Sequence, residues 1–462
     1  MNISLVAVNS QYIHTNLAVR SIAACLRQGG FPAAFAEFTI NQRQPYILQQ
    51  LYRQGAHAYF FSVYIWNVEL VCALAADLRK LCPGVLLLAG GPQVTYHIEA
   101  FLRQNPAFNA VFTGEGEESV PAFCKAVKSG AGFETVPGIV FLQKGQAVAT
   151  PGPAPLCMDS LPFAYQDIQQ LAGRILYYES MRGCPFGCSY CLSSLEKGVR
   201  FKSLSIVEKE LARLLLAKPK QVKFVDRTFN CNKKHALGIW RFLAEHDNGH
   251  TNFHFELAGE LLEEEMLAFL RTVRPGLFQF EIGVQSTNAE TLREINRPAN
   301  VPRLFEKVDR LKSGGNIHLH LDLIAGLPEE NYESFANSFN SVYAKQPHQF
   351  QLGFLKVLPG SSMEHKARQY GLVWQTAAPF EVLYTNWLNY DEVCELKQMA
   401  EMVEVYYNRG RFAHITAHIC GMFATPFVFY RQLAAFYVQQ GHSHEPLSKI
   451  GYYQLLGSFL QQ

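Results

Sequence analysis

An α/β fold built from two successive β–α series and a helical end is predicted by three observations. Over residues 1–128, continuous apolar runs alternate with segments of helical period, the pattern of a parallel sheet covered on both faces. A second series of the same kind begins near residue 175. After about residue 363 the glycine-punctuated alternation stops, and the remainder, rich in Tyr, Phe and His, reads as helix.

The first series opens with ISLVAVNS, an apolar run ending in small polar residues. TNLAVRSIAACLRQGG follows with helical spacing and a Gly-Gly stop. Then come AAFAEFTI, a helix near 45–54, AYFFSVYIW, a helix near 68–81, VLLLAGG, a helix near 96–104, and AVFTGEG with a final helix. Five such units predict a doubly wound, flavodoxin-like five-stranded parallel sheet. In sheets of this kind ligands bind outside the carboxyl ends of the strands. Those ends carry Asn9-Ser10, the SVYIWN stretch with Ser62 and Trp66, Gly90-Gly91-Pro92, and Gly114-Glu115-Gly116. Each alone is an ordinary strand-to-helix turn. Four on one edge point to a ligand site with backbone amides on offer. Residues 139–150 read as a small hairpin around Lys144-Gly145. The proline-rich PGPAPLCMDSLPF reads as a linker. The first domain is thus placed at 1–150 and the linker at 151–172.

The second series has strands at ILYYESM, VKFVDRTF, NFHFELAG, LFQFEIGVQS, IHLHLDLIAG and QFQLGFLKVL, with helices such as VEKELARLLL and NAETLREI between them. Six repeats predict a partial (β/α)6 TIM-type barrel over 173–365, with its active site at the carboxyl ends of the strands. Residues 366–462 are read as a C-terminal helical domain.

At 462 residues the chain has room for two or three domains, and 48% hydrophobic residues can build a large core. A formal net charge of +2 argues against a dominant attraction to nucleic acid or anionic membrane. No apolar run approaches the ~18 residues of a membrane span. The start MNISLVAVNS lacks the features of a signal peptide. The eleven cysteines are odd in number, and Cys25, Cys72, Cys82, Cys124 and Cys420 lie scattered in apolar segments. They indicate a reducing cytoplasm rather than a disulfide framework.

In SMRGCPFGCSYCLSS, Cys184, Cys188 and Cys191 form Cys-x3-Cys-x2-Cys directly after the first barrel strand. Thiolates bind soft metals. A structural zinc site needs four ligands, usually as two pairs, and Cys157 and Cys231 supply no second pair. A 4Fe–4S cluster is usually held by four cysteines. With three, one iron stays open to an external ligand, and the cluster becomes a reaction centre.

This triplet, with Tyr190 just before its last cysteine, resembles the radical S-adenosylmethionine enzymes. Gly283-Val284-Gln285-Ser286, Asn296-Arg297, and Asp322 ahead of Gly326-Leu327-Pro328 are similar to motifs of the oxygen-independent coproporphyrinogen oxidase branch. The resemblance implies that Gln285 and Asp322 hydrogen-bond the ribose of S-adenosylmethionine and that Arg297 meets its methionine carboxylate. It also implies that LKVLPGSS lies near the adenine and that Phe186 and Tyr190 are cofactor-binding residues. The usual Gly-Gly-Glu after the second strand is replaced by Val225-Asp226-Arg227-Thr228-Phe229. Asp226 is expected to take the amino-group role, with Glu256 and Glu260 as alternatives. The first 130 residues resemble the cobalamin-binding domain that precedes the radical domain in one branch, and the tail resembles an uncharacterised helical extension. The Asp-x-His-x-x-Gly motif that binds cobalt is absent, since His14 and His57 lack its context. Trp66 is expected beneath the corrin, where a bulky side chain keeps water off the lower face.

The resemblance implies a 4Fe-4S cluster, S-adenosyl-L-methionine and cobalamin as cofactors, and a flavodoxin- or ferredoxin-type electron donor. The function expected first is a cobalamin-dependent methyltransferase acting on an unactivated carbon of a small molecule or peptide. The alternatives are a non-methylating radical enzyme (rearrangement, ring closure or oxidation) and a non-catalytic binding protein. His414 and His418 share a helix face but lack a third ligand. Tyr12, Tyr177 and Tyr178 are either hydrogen-atom donors or packing residues.

Overall fold

The computed structural model describes residues 2–171, 173–196, 198–297, 299–442 and 447–461. It divides into two compact units. The first comprises 1–184, 196–227 and 234–254, and the second 185–195, 228–233 and 255–462.

The first unit begins with strands β1 (Ile3–Asn9), β2 (Ala33–Thr39), β3 (Ala58–Ser62), β4 (Leu86–Gly90) and β5 (Ala110–Phe112). Helices α1 (Leu17–Gln28), α2 (Gln44–Gln54), α3 (Val68–Leu81), α4 (Ile98–Gln104) and α5 (Gly116–Ser129) alternate with them. All seven residues of β1 are buried, because alternate side chains feed two cores. Val6 and Val8 pack with Ile47 and Leu51 of α2 and Val71 and Leu74 of α3. Leu5 and Ala7 pack with Val19 and Ala23 of α1 and Val120 and Phe123 of α5. The five strands are parallel, and β1 lies between β2 and β3. The topological switch point is therefore beside β1 and β3.

Two expectations change here. The predicted hairpin, β6 (Ile139–Gln143) and β7 (Gln146–Ala149), does not stand apart. It pairs antiparallel with β5 and extends the sheet to seven strands in the order β2-β1-β3-β4-β5-β6-β7, covering what would be an open edge. The proline-rich linker is no loose tether. Leu156, Met158, Leu161 and Tyr165 are buried, and Asp167 pairs with the buried Arg20 at 2.7 Å. Its apolar anchors follow no helix or strand period, so sequence pattern does not announce them.

The first unit continues with β8 (Ile175–Tyr178), the two-residue strands β9 (Met181–Arg182) and β10 (Arg200–Phe201), α6 (Leu204–Leu216), β11 (Gln221–Phe224), α7 (Lys233–Glu245) and β12 (Asn252–Leu257). β8, β11 and the start of β12 run parallel. β9 and β10 form an antiparallel ribbon, and the cysteine loop is the chain between them.

The second unit takes the end of β12, then α8 (Glu264–Leu270), β13 (Phe278–Gln285), α9 (Ala289–Glu294), α10 (Val301–Ser313), β14 (His318–Ala325), α11 (Tyr332–Tyr343), β15 (Gln349–Phe354) and α12 (Ser362–Lys366). β13, β14 and β15 are parallel neighbours. Along β13, Phe278, Phe280, Ile282 and Val284 are buried, while Gln279, Glu281, Gly283 and Gln285 share the opposite face. A polar stripe on one side of a buried strand is how a barrel wall presents chemistry. The tail is not wholly helical. A short ribbon, β16 (Val373–Trp374) with β17 (Val382–Tyr384), precedes α13 (Tyr390–Val403), α14 (Ala413–Cys420), α15 (Pro426–Gln439) and α16 (Lys449–Phe459). Among the described residues no helix is long and apolar enough to cross a membrane.

Candidate active site

In the first unit, the entrance to the cysteine loop is built on Asp226. Its carboxylate accepts hydrogen bonds from Ser180 N (2.9 Å), Ser180 Oγ (2.6 Å) and Met181 N (2.9 Å). His235 Nε2 lies 3.1 Å from the same Ser180 hydroxyl. Burial lifts the Asp226 carboxyl to about 7 and holds His235 down at about 4. With three donors already on its two oxygens and 1% exposure, Asp226 holds the turn ahead of Cys184. It is not placed to grip an amino group. Gly183 has φ 100°, and a Cβ there would stand 2.2 Å from the carbonyl oxygen of Gly198. Only glycine closes the ribbon's end.

In the second unit, the rest of the loop is held by backbone. Asn296 Nδ2 donates to Gly187 O at 3.0 Å. Ser189 N donates to Ile295 O at 2.9 Å, and Met363 N donates to Ser189 O at 2.8 Å. Cys188 is buried; Cys184 and Cys191 are half-buried, and all eleven cysteines are free of disulfides. Arg297 places Nη1 3.9 Å from Cys188 Sγ and donates through Nη2 to Gly283 O. Burial pushes the Cys188 thiol up, and the guanidinium opposes this. Phe186 and Tyr190 are half-buried in the same loop.

Strand β13 ends in an irregularity between Gly283 and Gln285, and Gln285 adopts φ 70°. Such a bulge re-aims a side chain. The Gln285 amide folds back over Gly283, where a Cβ would meet its Nε2 at 2.0 Å. Several buried polar atoms of this unit have no partner: Gln285 Oε1, Arg297 Nε, Glu260 Oε2 and Ser189 Oγ. Buried polar atoms left unpaired are costly and mark where a polar ligand completes the set. Glu256 is half-buried on β12.

Asp322 on β14 pairs across to Gly283. Burial raises its carboxyl, and His320 opposes this with Nε2 2.8 Å from Oδ1. On the other side of the ring, His320 Nδ1 stands 3.7 Å from Glu281 Oε2. The three ligand atoms lie within 4.8 Å of one another. Opposite ring nitrogens face the two carboxylates, so the arrangement is a carboxylate–imidazole–carboxylate chain and not a converging metal-ligand set. Glu281 and His320 were missed at the sequence level. The alternation in HLHLD, which puts His318, His320 and Asp322 on one face, was the available signal.

At the carboxyl edge of the first sheet, the predicted residues divide. Asn9 is spent internally: its Nδ2 donates to His14 O (3.0 Å), and its Oδ1 accepts from Asn16 Nδ2 (3.4 Å). Ser10 and Ser62 are partly exposed, and Gly90 pairs with Ser62 across β3 and β4. Gly91 and Gly116 serve packing, since added Cβ atoms would meet Val63 O at 2.5 Å and Ile22 Cδ1 at 2.8 Å. Around Gly114 there is open space. Glu115 is engaged by Arg182, Arg200 and the Leu156 N–H. Although burial works against it, those donors hold its carboxyl at about 2. Trp66 is different. It is 44% exposed, its Nε1 donates to Val8 O at 3.1 Å, and its ring stacks on Tyr64 at 4.4 Å and 6°. An open aromatic shelf, held by that hydrogen bond and stack, stands at the switch point.

The residues fit the implied groups. Three loop thiols, none in a disulfide, suit an iron–sulfur cluster. The unpartnered polar atoms of Gln285, Arg297 and Glu260 suit the polar ends of S-adenosylmethionine. The Trp66–Tyr64 shelf suits the flat face of a corrin. His414 and His418 are exposed on α14, and no group of metal-ligating side chains forms there among the described residues.

Comparison with known proteins agrees. The B12 binding domain profile matches residues 3–124, the Radical SAM superfamily profile residues 178–342, and a protein of unknown function profile (DUF4080) residues 368–462. The chain is 26% identical over 361 residues to an uncharacterized methyltransferase of Pyrococcus horikoshii, covering 72% of each. It is 24% identical over 348 residues to the cobalamin-dependent radical SAM methyltransferase TokK of Streptomyces tokunonensis, covering 67% of this chain and 49% of TokK. The fold is similar to that of the radical S-adenosylmethionine methyltransferase TsrM of Kitasatospora setae, with a TM-score of 0.71, 17% identity, and coverage of 81% and 79%. The chain thus carries a match to a B12 binding domain, then one to the Radical SAM superfamily, then one to DUF4080, in that order.

Proposed function

We propose that this protein is a cobalamin-dependent radical S-adenosylmethionine methyltransferase acting on an unactivated carbon of a small molecule or peptide. The observation that carries the reading is the pairing of the three-thiol loop with the aromatic shelf of a B12-type domain in one chain. When bound, the cluster with S-adenosylmethionine supplies a 5′-deoxyadenosyl radical, and cobalamin supplies the methyl group.

The chain's own residues bind, orient and exclude water. Cys184, Cys188 and Cys191 hold the cluster. Arg297 offers its guanidinium to the methionine carboxylate, a charge-assisted contact. Gln285 and Asp322 hold the ribose. Glu260, with a buried unpartnered oxygen, is the group for the methionine amino end, with Glu256 its neighbour on the same segment. Asp226 holds the loop. Trp66 would pack against the corrin and keep water from it. Domain limits of 1–150, 173–365 and 366–462 serve this division of labour. Cysteines free of disulfides fit a cytoplasmic setting with a flavodoxin- or ferredoxin-type electron donor.

The test is anaerobic reconstitution with iron, sulfide and hydroxocobalamin, followed by iron and cobalt quantification. The reading expects about four irons and one tightly held cobalamin per chain. A cluster without cobalamin would refute methyl transfer and leave the radical step. A protein that takes up no cluster would overturn the reading.

A further inference from the structure

Arg182 lies two residues before Cys184, on β9, and its side chain is committed to three carboxylates of the first unit. Nη1 donates to Glu115 Oε1 at 2.9 Å, Nη2 to Glu117 Oε1 at 2.9 Å, and Nε and Nη2 to Glu179 at 3.0 and 2.7 Å. Arg200, across the ribbon on β10, binds both oxygens of Glu115 and the carbonyl of Leu156. Glu115 and Glu117 belong to the turn that opens α5, whose first residues follow Gly114 on the sheet's ligand edge. Both strands that flank the cysteine loop are thus fastened by guanidinium forks to one turn of the B12-type domain. Ser21 adds a hydrogen bond to Glu117 at 3.2 Å.

The network is largely shielded from solvent, with side-chain exposures of 15% for Arg182, 11% for Glu115 and 9% for Glu117. Shielded ion pairs are poor sources of stability, because desolvation offsets attraction. They do fix geometry, since a planar fork accepts few arrangements. A tie of this kind means that the turn cannot shift without moving the ribbon.

We propose that Arg182 is a positioning residue that couples the corrinoid site to the cluster loop, so that filling one site changes affinity at the other. The proposal rests on the function proposed above. Linkage makes the coupling reciprocal.

The experiment titrates hydroxocobalamin by absorbance into the full anaerobic chain, with and without reconstituted cluster. In the wild type, cluster loading is expected to change the cobalamin Kd by about fivefold or more. In Arg182→Gln the ratio falls to near one, and Arg182→Lys, which keeps the charge but loses the fork, follows it. A merely structural residue would shift both Kd values together and leave their ratio. If Arg182→Gln fails to fold by circular dichroism, Glu117→Ala decides, because it removes one contact and leaves Arg182 on Glu115 and Glu179. A reduced ratio there supports the coupling, and an unchanged ratio overturns it. A wild-type ratio of one, or a wild-type ratio retained in Arg182→Gln, also overturns it. A wild type that binds no cobalamin in either state refutes the functional reading itself, a result distinct from binding without coupling.

Discussion

Glu330 is fully buried, with Oε1 accepting from Ser286 Oγ at 2.6 Å and Ser338 Oγ at 3.0 Å. Burial lifts its carboxyl to about 7. The folded state therefore keeps a proton that the unfolded chain releases near 4.5, and this group's contribution to stability falls as pH rises from about 4.5 to 7. Glu330→Gln, which mimics the protonated form, is expected to melt above the wild type at pH 8. The gap should close toward pH 5. A gap independent of pH would show that Glu330 ionises normally. Glu260 and Asp226 are carboxyls in different settings. Glu260→Gln is expected to weaken S-adenosylmethionine binding about 10–100-fold, the value of a charge-assisted hydrogen bond. Asp226→Asn is expected to lower cluster retention first, because an amide cannot accept all three donors. Equal effects on the two readouts would remove the distinction. Sequence inspection named Asp226, Glu256 and Glu260 as candidates for the amino end. It could not rank them, because the ranking depends on whether Ser180 and Met181 donate to Asp226, a contact between segments some 45 residues apart.

At the level of elements, the end of β13 carries the clearest prediction. Gly283 has no positive φ, so alanine fits the backbone, but its Cβ would displace the Gln285 amide. Gly283→Ala is expected to raise the Kd for S-adenosylmethionine about tenfold, roughly one lost hydrogen bond, with circular dichroism unchanged. An unaltered Kd would remove Gln285 from the ribose. The parallel strands were legible in the sequence because buried strands read as continuous apolar runs. The motif Gly283 to Ser286 was legible as a resemblance, but not the bulge that aims it, since a bulge is a register property of two strands. The hairpin of β6 and β7 was found, but not its partner β5, because antiparallel pairing leaves no mark on the distant strand. The packing of the linker was not legible, because proline content marks irregular backbone and says nothing of what Leu156 or Tyr165 packs against.

For the whole molecule, the order of three parts was legible from composition and period, because each layer type has its own repeat. The Arg182 network was not, since its five charged residues are separated in sequence and each alone resembles a surface charge. One feature bears on how the protein comes to be active. The cysteine loop is fastened by ordinary protein contacts: Asp226 to Ser180 in one unit, and Asn296 to Gly187 and Met363 to Ser189 in the other. Small zinc domains are organised by their ion and collapse without it. Here the chain has its own reasons to adopt the loop. Chelating iron from reconstituted protein is expected to leave the near-ultraviolet circular dichroism of the fold in place, and loss of those bands would show that metal shapes the loop. Retained bands would mean that folding precedes iron delivery, and that a polypeptide stripped of its cluster can be recharged without being made anew.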